Sequence, residues 1–433
     1  MKNITHKLTL VIVLLLSTIN IQAQRNVTWV HGLKGEASSW EHYNDIFDNE
    51  LNINSIRETY NTDLGIAFGA EEVKTSVDTA FGSDYNHPDN LAITHSMGGL
   101  MTRHIDANTN SGEKRFGGYI TTTSPLYGAP IANSIIDGSV NSFAGNAFNK
   151  LKAGPLSQLT NTLPWQITAY LSTSELSDFI SVDNLIEEHI GSVVSNTDLR
   201  VGSPTINAIN AYDANNTIPR ISIWAAENSP VHWRMFSSSK YNYNDQTLVG
   251  YVNTARGVYQ GYFEVNIALS IACVIAGFWY PPCWALSTLY ALRATLWKQG
   301  RDWIDSSETA WCSLIKTTQT VQQTHWVEVW VPCNYPPILP IGRPIAPDPD
   351  CGEWVWMQQT YTTTINYPSD GLLPKYTQIM KNNPTSSNTY HVSGANHIEV
   401  RNMTKDGNGV DETKDQFLLI FNNRPNGDFF RTN

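Results

Sequence analysis

Charge is scarce in this 433-residue chain, and what there is leans acidic. Asp, Glu, Lys and Arg make up 15% of the residues, with 28 basic side chains against 39 acidic ones. A formal charge of −11, spread thinly through a chain rich in Asn, Thr and Ser, excludes the basic stripe that nucleic-acid binding needs. Cysteine is almost as scarce. Cys273, Cys283, Cys312, Cys333 and Cys351 crowd into one window, form no C-x-x-C pair and have no histidine at zinc-ligand spacing, so no metal centre is expected on them. H-E-x-x-H is missing too, which removes the common zinc-hydrolase signature and leaves only scattered carboxylates as conceivable calcium ligands.

What is present begins with MKNITHKLTLVIVLLLSTINIQAQ. Lys2 and Lys7 precede an apolar core from Leu8 to Leu16, and small residues end it at Ala23, the pattern of a secretory signal peptide over residues 1–23. The core is shorter than the ~20 residues of a membrane span, and no cysteine follows to carry a lipid anchor. The expected product is a secreted protein starting at Gln24 or Arg25, and losing the two lysines takes the formal charge from −11 to −13. Export makes disulfides the default for the cysteines, and Cys333 and Cys351, which flank a proline-rich loop, are the expected pair.

From residue 24 to about 130, short apolar runs (NVTWV, INSI, LAIT, FGGYITTTSP) alternate with helical patterns. That spacing predicts βαβ units, a mostly parallel sheet with helices on both faces, and hence an α/β fold. Residues 131–218 turn irregular and helical, as a cap would. The sheet resumes at 219–229 with RISIWAA, and a long insertion over 230–366 precedes the last part of the core, 367–433. Within the insertion, Val265–Trp297 is apolar and is expected to break at Pro281 and Pro282 into two helices, each shorter than a membrane span. Two alternating runs after it predict an antiparallel hairpin. Eleven of the fourteen tryptophans lie between Trp224 and Trp356. Burial against the core accounts for that density most simply, and a lid or lipid-facing surface is the functional alternative.

The sharpest local signal is LAITHSMGGLM, residues 91–101, where an apolar strand meets a small-residue turn with Ser96 at its tip and a helix follows. A serine hydroxyl is a weak nucleophile unless a turn exposes it to a base and sets backbone N–H groups beside it. Thr94 stands where the commonest form of this motif, G-x-S-x-G, has its first glycine. An acyl-transfer site also needs oxyanion donors, and the chain offers two: the Leu33 amide, in the glycine-flanked turn HGLKG after strand VTWV, and the Met97 amide, after the serine at a helix N-terminus.

Three blocks, VTWVHGLKG, LAITHSMGGLMTR with YITTTSPLYGAPIANS, and YPSDGLLPKYTQIM with YHVSGANHIEV, resemble the α/β-hydrolase superfamily, in particular secreted bacterial lipases and GPI inositol-deacylase-like serine hydrolases. The resemblance implies Ser96 as nucleophile, Asp370 in SDGLLP as acid and His397 in GANH as base, with Leu33 and Met97 as oxyanion donors, in the serine, acid, histidine order of that fold. Glu227, directly after RISIWAA, is a rival acid, and Asp245 a weaker one. His31, His95 and His391 read as packed scaffold. The implied activity is cleavage of lipophilic carboxylic esters through an acyl-enzyme, with no cofactor and with transient contact to a lipid interface. An amide or phospholipid hydrolase would use the same residues, and a non-catalytic, lipid-binding or membrane-inserting protein on a hydrolase scaffold is the competing class.

Overall fold

The apolar runs assemble into one sheet. In the computed structural model, which describes residues 26–43, 47–48, 53–83, 89–108, 114–143, 192–227, 247–277, 282–332, 352–381, 388–401, 411–423 and 429–430, the strands are β1 (Asn26–Val30), β2 (Asn54–Arg57), β3 (Leu91–His95), β4 (Gly118–Thr122), β5 (Arg220–Ala226) and β8 (Thr389–Ser393). They lie in the order β2-β1-β3-β4-β5-β8, and every pairing is parallel. All five residues of β3 and of β4 are buried, which is why these strands read as continuous apolar or small-residue runs rather than alternating ones.

Alternate residues of each strand feed two separate cores. Val27, Trp29, Leu91, Ile93, Ile120, Ile221 and Ile223 point into an aromatic layer with Trp40, Phe47 and Phe417, the last from the closing helix α8 (Glu412–Asn423). Val30, Ala92 and Tyr119 face the opposite layer, made by α1 (Ile66–Phe81), α2 (Gly98–Asn108), α3 (Pro130–Ile136), α4 (Val193–Leu199) and α5 (Pro204–Asp213). Helix α1 buries Ile66, Ala70, Val73 and Val77, a stripe at helical spacing. At its start the Asp198 carboxylate, distant in sequence, accepts the Ile66 N–H at 2.9 Å. The chain enters at β1, one strand in from the edge, goes out to β2 and returns to β3 on the other side of β1. The crevice at the carboxyl ends of β1 and β3 is therefore the topological switch point, where open α/β sheets bind ligands.

The insertion departs from expectation. Helices α6 (Thr247–Gly277) and α7 (Pro282–Leu314) run 31 and 33 residues, so neither is shorter than a membrane span. Helix α7 begins at Pro282, and charged and polar turns on either side of the apolar stretch extend both helices well beyond it. Strands β6 (Thr318–Pro332) and β7 (Gly352–Asn366) form the antiparallel hairpin, and residues 317–367 make a compact unit of their own. Cys333 and Cys351 lie outside the described residues. Among those described, Cys273 and Cys283 are not disulfide-bonded.

Candidate active site

Ser96 sits between β3 and α2 with φ at 52°, a left-handed conformation that costs a serine of order 1–3 kcal/mol and persists only where its surroundings impose it. The surroundings do so here. The Ser96 N–H donates to the Thr122 carbonyl at 3.1 Å, and α2 starts so close to β1 that a Cβ on Gly98 would lie 2.5 Å from the His31 carbonyl oxygen. Only glycine fits there. Thr94 is accommodated because its hydroxyl turns toward β4 and donates to the Ile120 carbonyl at 3.4 Å, away from the tip.

Ser96 Oγ is 3.0 Å from His397 Nε2, and His397 Nδ1 is 2.7 Å from Asp370 Oδ2. A carboxylate only accepts, so Nδ1 carries the proton and Nε2 is left to accept from the serine hydroxyl. Asp370 is fully buried and His397 nearly so. The second carboxylate oxygen, Oδ1, accepts the backbone N–H groups of Leu372 at 3.0 Å and Leu373 at 2.6 Å. The His397 N–H donates to the Asp370 carbonyl at 2.7 Å, which ties the two loops together independently of the side chains. Glu227 takes a different place: its backbone N–H donates to the Ser369 carbonyl at 2.8 Å, one residue before Asp370, and the carboxylate beside His397 is that of Asp370. Asp245 lies outside the described residues.

Leu33 and Ser96 share the wall of a cavity of about 330 Å³. The turns that carry them are in contact, since a Cβ on Gly32 would come within 2.6 Å of Ser96 Cβ. Among the described residues, neither the Leu33 nor the Met97 N–H is given to another acceptor. Ala129, Ile131, Leu199, Leu372 and Leu373 make much of the cavity apolar, while Lys34 and Arg401 add positive charge to its lining. No described residue of α6 or α7 lines it. Phe278, Trp279, Tyr280 and the Trp284 side chain lie outside what is described, and Trp297 packs face to face on Tyr262 at 4.7 Å.

His31 and His95 act through position. Burial holds the His31 imidazole down at about 4, with the Arg401 charge adding to the effect against the opposing bond to the Gly32 carbonyl. The neutral ring stacks on Tyr60 at 3.8 Å. Burial likewise pushes His95 well below its usual value, reinforced by the neighbouring His397 and Arg401. Its Nε2 donates to the His397 carbonyl at 2.8 Å, so it anchors the loop that carries His397. Sequence reasoning missed that bond, and also the Trp311 indole of α7, which donates to the Gly371 carbonyl at 2.7 Å beside Asp370. His391 lies away from the cavity, stacked on Trp224 at 3.7 Å. Among the described residues no group of three His, Cys, Asp or Glu side chains is placed to hold a metal ion.

No protein-family model and no curated protein matches the chain. Similar solved structures include phospholipase PlaB from Legionella pneumophila, 13% identical over 50% of this chain and 42% of that one, at a TM-score of 0.31. The mature lipase BlEst2 from Bacillus licheniformis is 14% identical over 48% of this chain and 67% of that one, at 0.29. An extracellular α/β-hydrolase from a Paenibacillus species is 13% identical over 46% and 77%, at 0.27. This chain spans less than half of the phospholipase's length. Likenesses this weak carry nothing about substrate, and the architecture stands on its own strand order and two-sided helical cover. The all-parallel sheet, covered by helices on both faces, agrees with the α/β-hydrolase fold expected from the sequence.

Proposed function

We propose that the chain is an exported serine hydrolase that cleaves lipophilic carboxylic esters through an acyl-enzyme on Ser96. The observation that carries this reading is the continuous hydrogen-bonded line from Ser96 Oγ through His397 to the buried Asp370, opening on a largely apolar cavity. His397 Nε2 takes the hydroxyl proton as Ser96 Oγ attacks the ester carbonyl. The oxyanion that forms is met by the free Leu33 and Met97 N–H groups, and His397 returns the proton to the departing alcohol. Water, deprotonated by the same imidazole, then releases the acid. Asp370 keeps Nδ1 protonated and offsets the charge of the imidazolium, and its Oδ1 is held by two backbone donors so that it cannot swing away. The apolar wall suits an acyl chain, since each CH₂ it covers contributes ~0.8 kcal/mol.

Turnover of p-nitrophenyl acetate, butyrate and octanoate by the purified protein tests the proposal. Ser96→Ala should fold normally and lose kcat by on the order of 10⁴-fold or more. A folded Ser96→Ala protein with undiminished activity would remove the serine mechanism.

A further inference from the structure

Helix α7 is rooted in the core at its carboxyl end. Trp311 and Ile315 are fully buried in the layer that holds α1 and α2, and Leu314 packs beside them. Pro282, at the other end of α7, is ~44 Å away along the helix at 1.5 Å per residue. The sequence changes character along that length. From Val265 to Leu292 no side chain is charged, whereas the arms below are laced with ion pairs, Arg256 with Asp305 and Lys298 with Asp302.

The border between these zones is level. Ser270 Oγ donates to the Ser287 carbonyl at 3.0 Å, which fixes the register of the two helices. Six residues down from Ser270 is Glu264, and six residues down from Ser287 is Arg293, the first charged residue on each arm. Above this line the apolar side chains are in the open: Val265 is 54% exposed, Ile271 56%, Ile275 62% and Leu292 60%, with Ile267, Leu269, Val274 and Leu289 also exposed. At 100° per residue the exposed positions on α6 sweep most of its circumference rather than the single stripe that a docked helix would cover. Three polar side chains in this zone, Asn266, Ser270 and Ser287, bond inside the hairpin. Asn266 Nδ2 donates to the Tyr262 carbonyl at 2.7 Å, and Ser270 meets Ser287. Internal satisfaction of polar groups beneath an all-round apolar surface is what hydrocarbon demands and water does not.

We infer that the α6–α7 tip, residues 265–277 with 282–292, inserts into one leaflet of a lipid bilayer, with the level line at Glu264 and Arg293 lying at the headgroups. The 13-residue rise from Glu264 to Gly277 is ~20 Å, enough to fill the ~15 Å hydrocarbon of one leaflet but not the ~30 Å of two. Both arms enter from the same side, so the hairpin anchors without crossing. This goes beyond the hydrolase reading and does not depend on it.

The test is flotation with phosphatidylcholine:phosphatidylglycerol vesicles, using the chain from Gln24 onward so that the apolar N-terminal run contributes nothing; the described fold begins at Asn26. The wild type should float with the vesicles. Ile271→Glu with Ile275→Glu, at positions with little packing to lose, should lower the partition coefficient by about a hundredfold or more while p-nitrophenyl acetate turnover and circular dichroism stay unchanged. Leu419→Glu, an exposed apolar site on α8, should float like the wild type, and so should Ser96→Ala, which separates failure of insertion from failure of the catalytic reading. The proposal is overturned if the wild type does not float or if the double variant floats equally well. A wild-type dimer in light scattering that becomes monomeric in the double variant, with no vesicle binding by either, would overturn it in favour of a second copy covering the tip.

Discussion

The floor of the cavity and the tip of the helical hairpin treat polar and apolar groups in opposite ways. Around Ser96 the side chains are buried and the polar atoms do the positioning: Asp370 accepts from His397, Leu372 and Leu373, and His95 holds the His397 carbonyl. On the tip the apolar side chains face outward, while Asn266 and Ser270 bond to carbonyls of the hairpin itself. A single substitution should therefore do different damage in the two places. At the floor it breaks a network that cannot be re-formed, whereas at the tip it alters what the surface can touch and leaves fold and chemistry alone.

The largest effect should come from the acid. Asp370→Asn removes the charge that orients the imidazole and should cost on the order of 10²- to 10⁴-fold in kcat. Glu227→Gln, whose backbone bond to Ser369 survives the change, should cost little. Steady-state kinetics of the two variants on one ester settle the assignment, and a reversed result would move the acid to the end of β5.

Next in size is a pH effect on stability that belongs to the floor. His31 titrates at about 4 in the fold against 6.5 when unfolded, so the unfolded chain binds more protons between those values. The stabilisation is complete above pH 6.5 and falls as pH drops toward 4, by on the order of 3 kcal/mol at about 1.4 per pH unit. His95 shifts in the same direction and steepens the fall. Denaturant melts from pH 7.5 to 4 should show this slope, and His31→Gln should be less stable at pH 7.5 yet flatter across the window. An equal slope in the variant would place the effect elsewhere.

A smaller effect separates the acyl wall from the tip. Leu372→Ala trims the cavity but keeps the backbone N–H that Asp370 needs. It should lower kcat/KM for octanoate relative to acetate by roughly tenfold, the value of one or two lost CH₂ contacts. The Ile271→Glu, Ile275→Glu variant should leave that ratio unchanged on monomeric esters. A tip that instead governed chain-length preference would have to fold back over the cavity. The smallest expectation carries no rate at all: the β6–β7 register ends with Pro332 opposite Gly352, the neighbours of Cys333 and Cys351, and a non-reduced digest should yield those two cysteines in one linked peptide. Free alkylation of both would exclude the pair.

Much of the floor was legible in the sequence because its signals are local. LAITHSMGGLM contains the strand, the strained tip and the glycines that let α2 approach, all within eleven consecutive positions. The sheet was legible for the same reason, since a strand buried on both faces must be apolar or small throughout. What escaped depends on partners far apart in the chain. Nothing near Ile66 announces that Asp198 will cap its helix, and nothing near His95 reveals that its ring will hold a carbonyl some 300 residues on. The hairpin helices were underestimated in length because their charged arms do not extend the apolar run, although the same helices continue through them.

The most direct test of the central claim, that Ser96 is an activated nucleophile, is labelling of the native protein with a fluorophosphonate probe, followed by digestion and mass mapping. The proposed mechanism predicts one label per chain, on the peptide containing Ser96, abolished by Ser96→Ala and strongly slowed by His397→Ala. A folded wild-type protein that stays unlabelled, or that carries its label on a different serine, would contradict it.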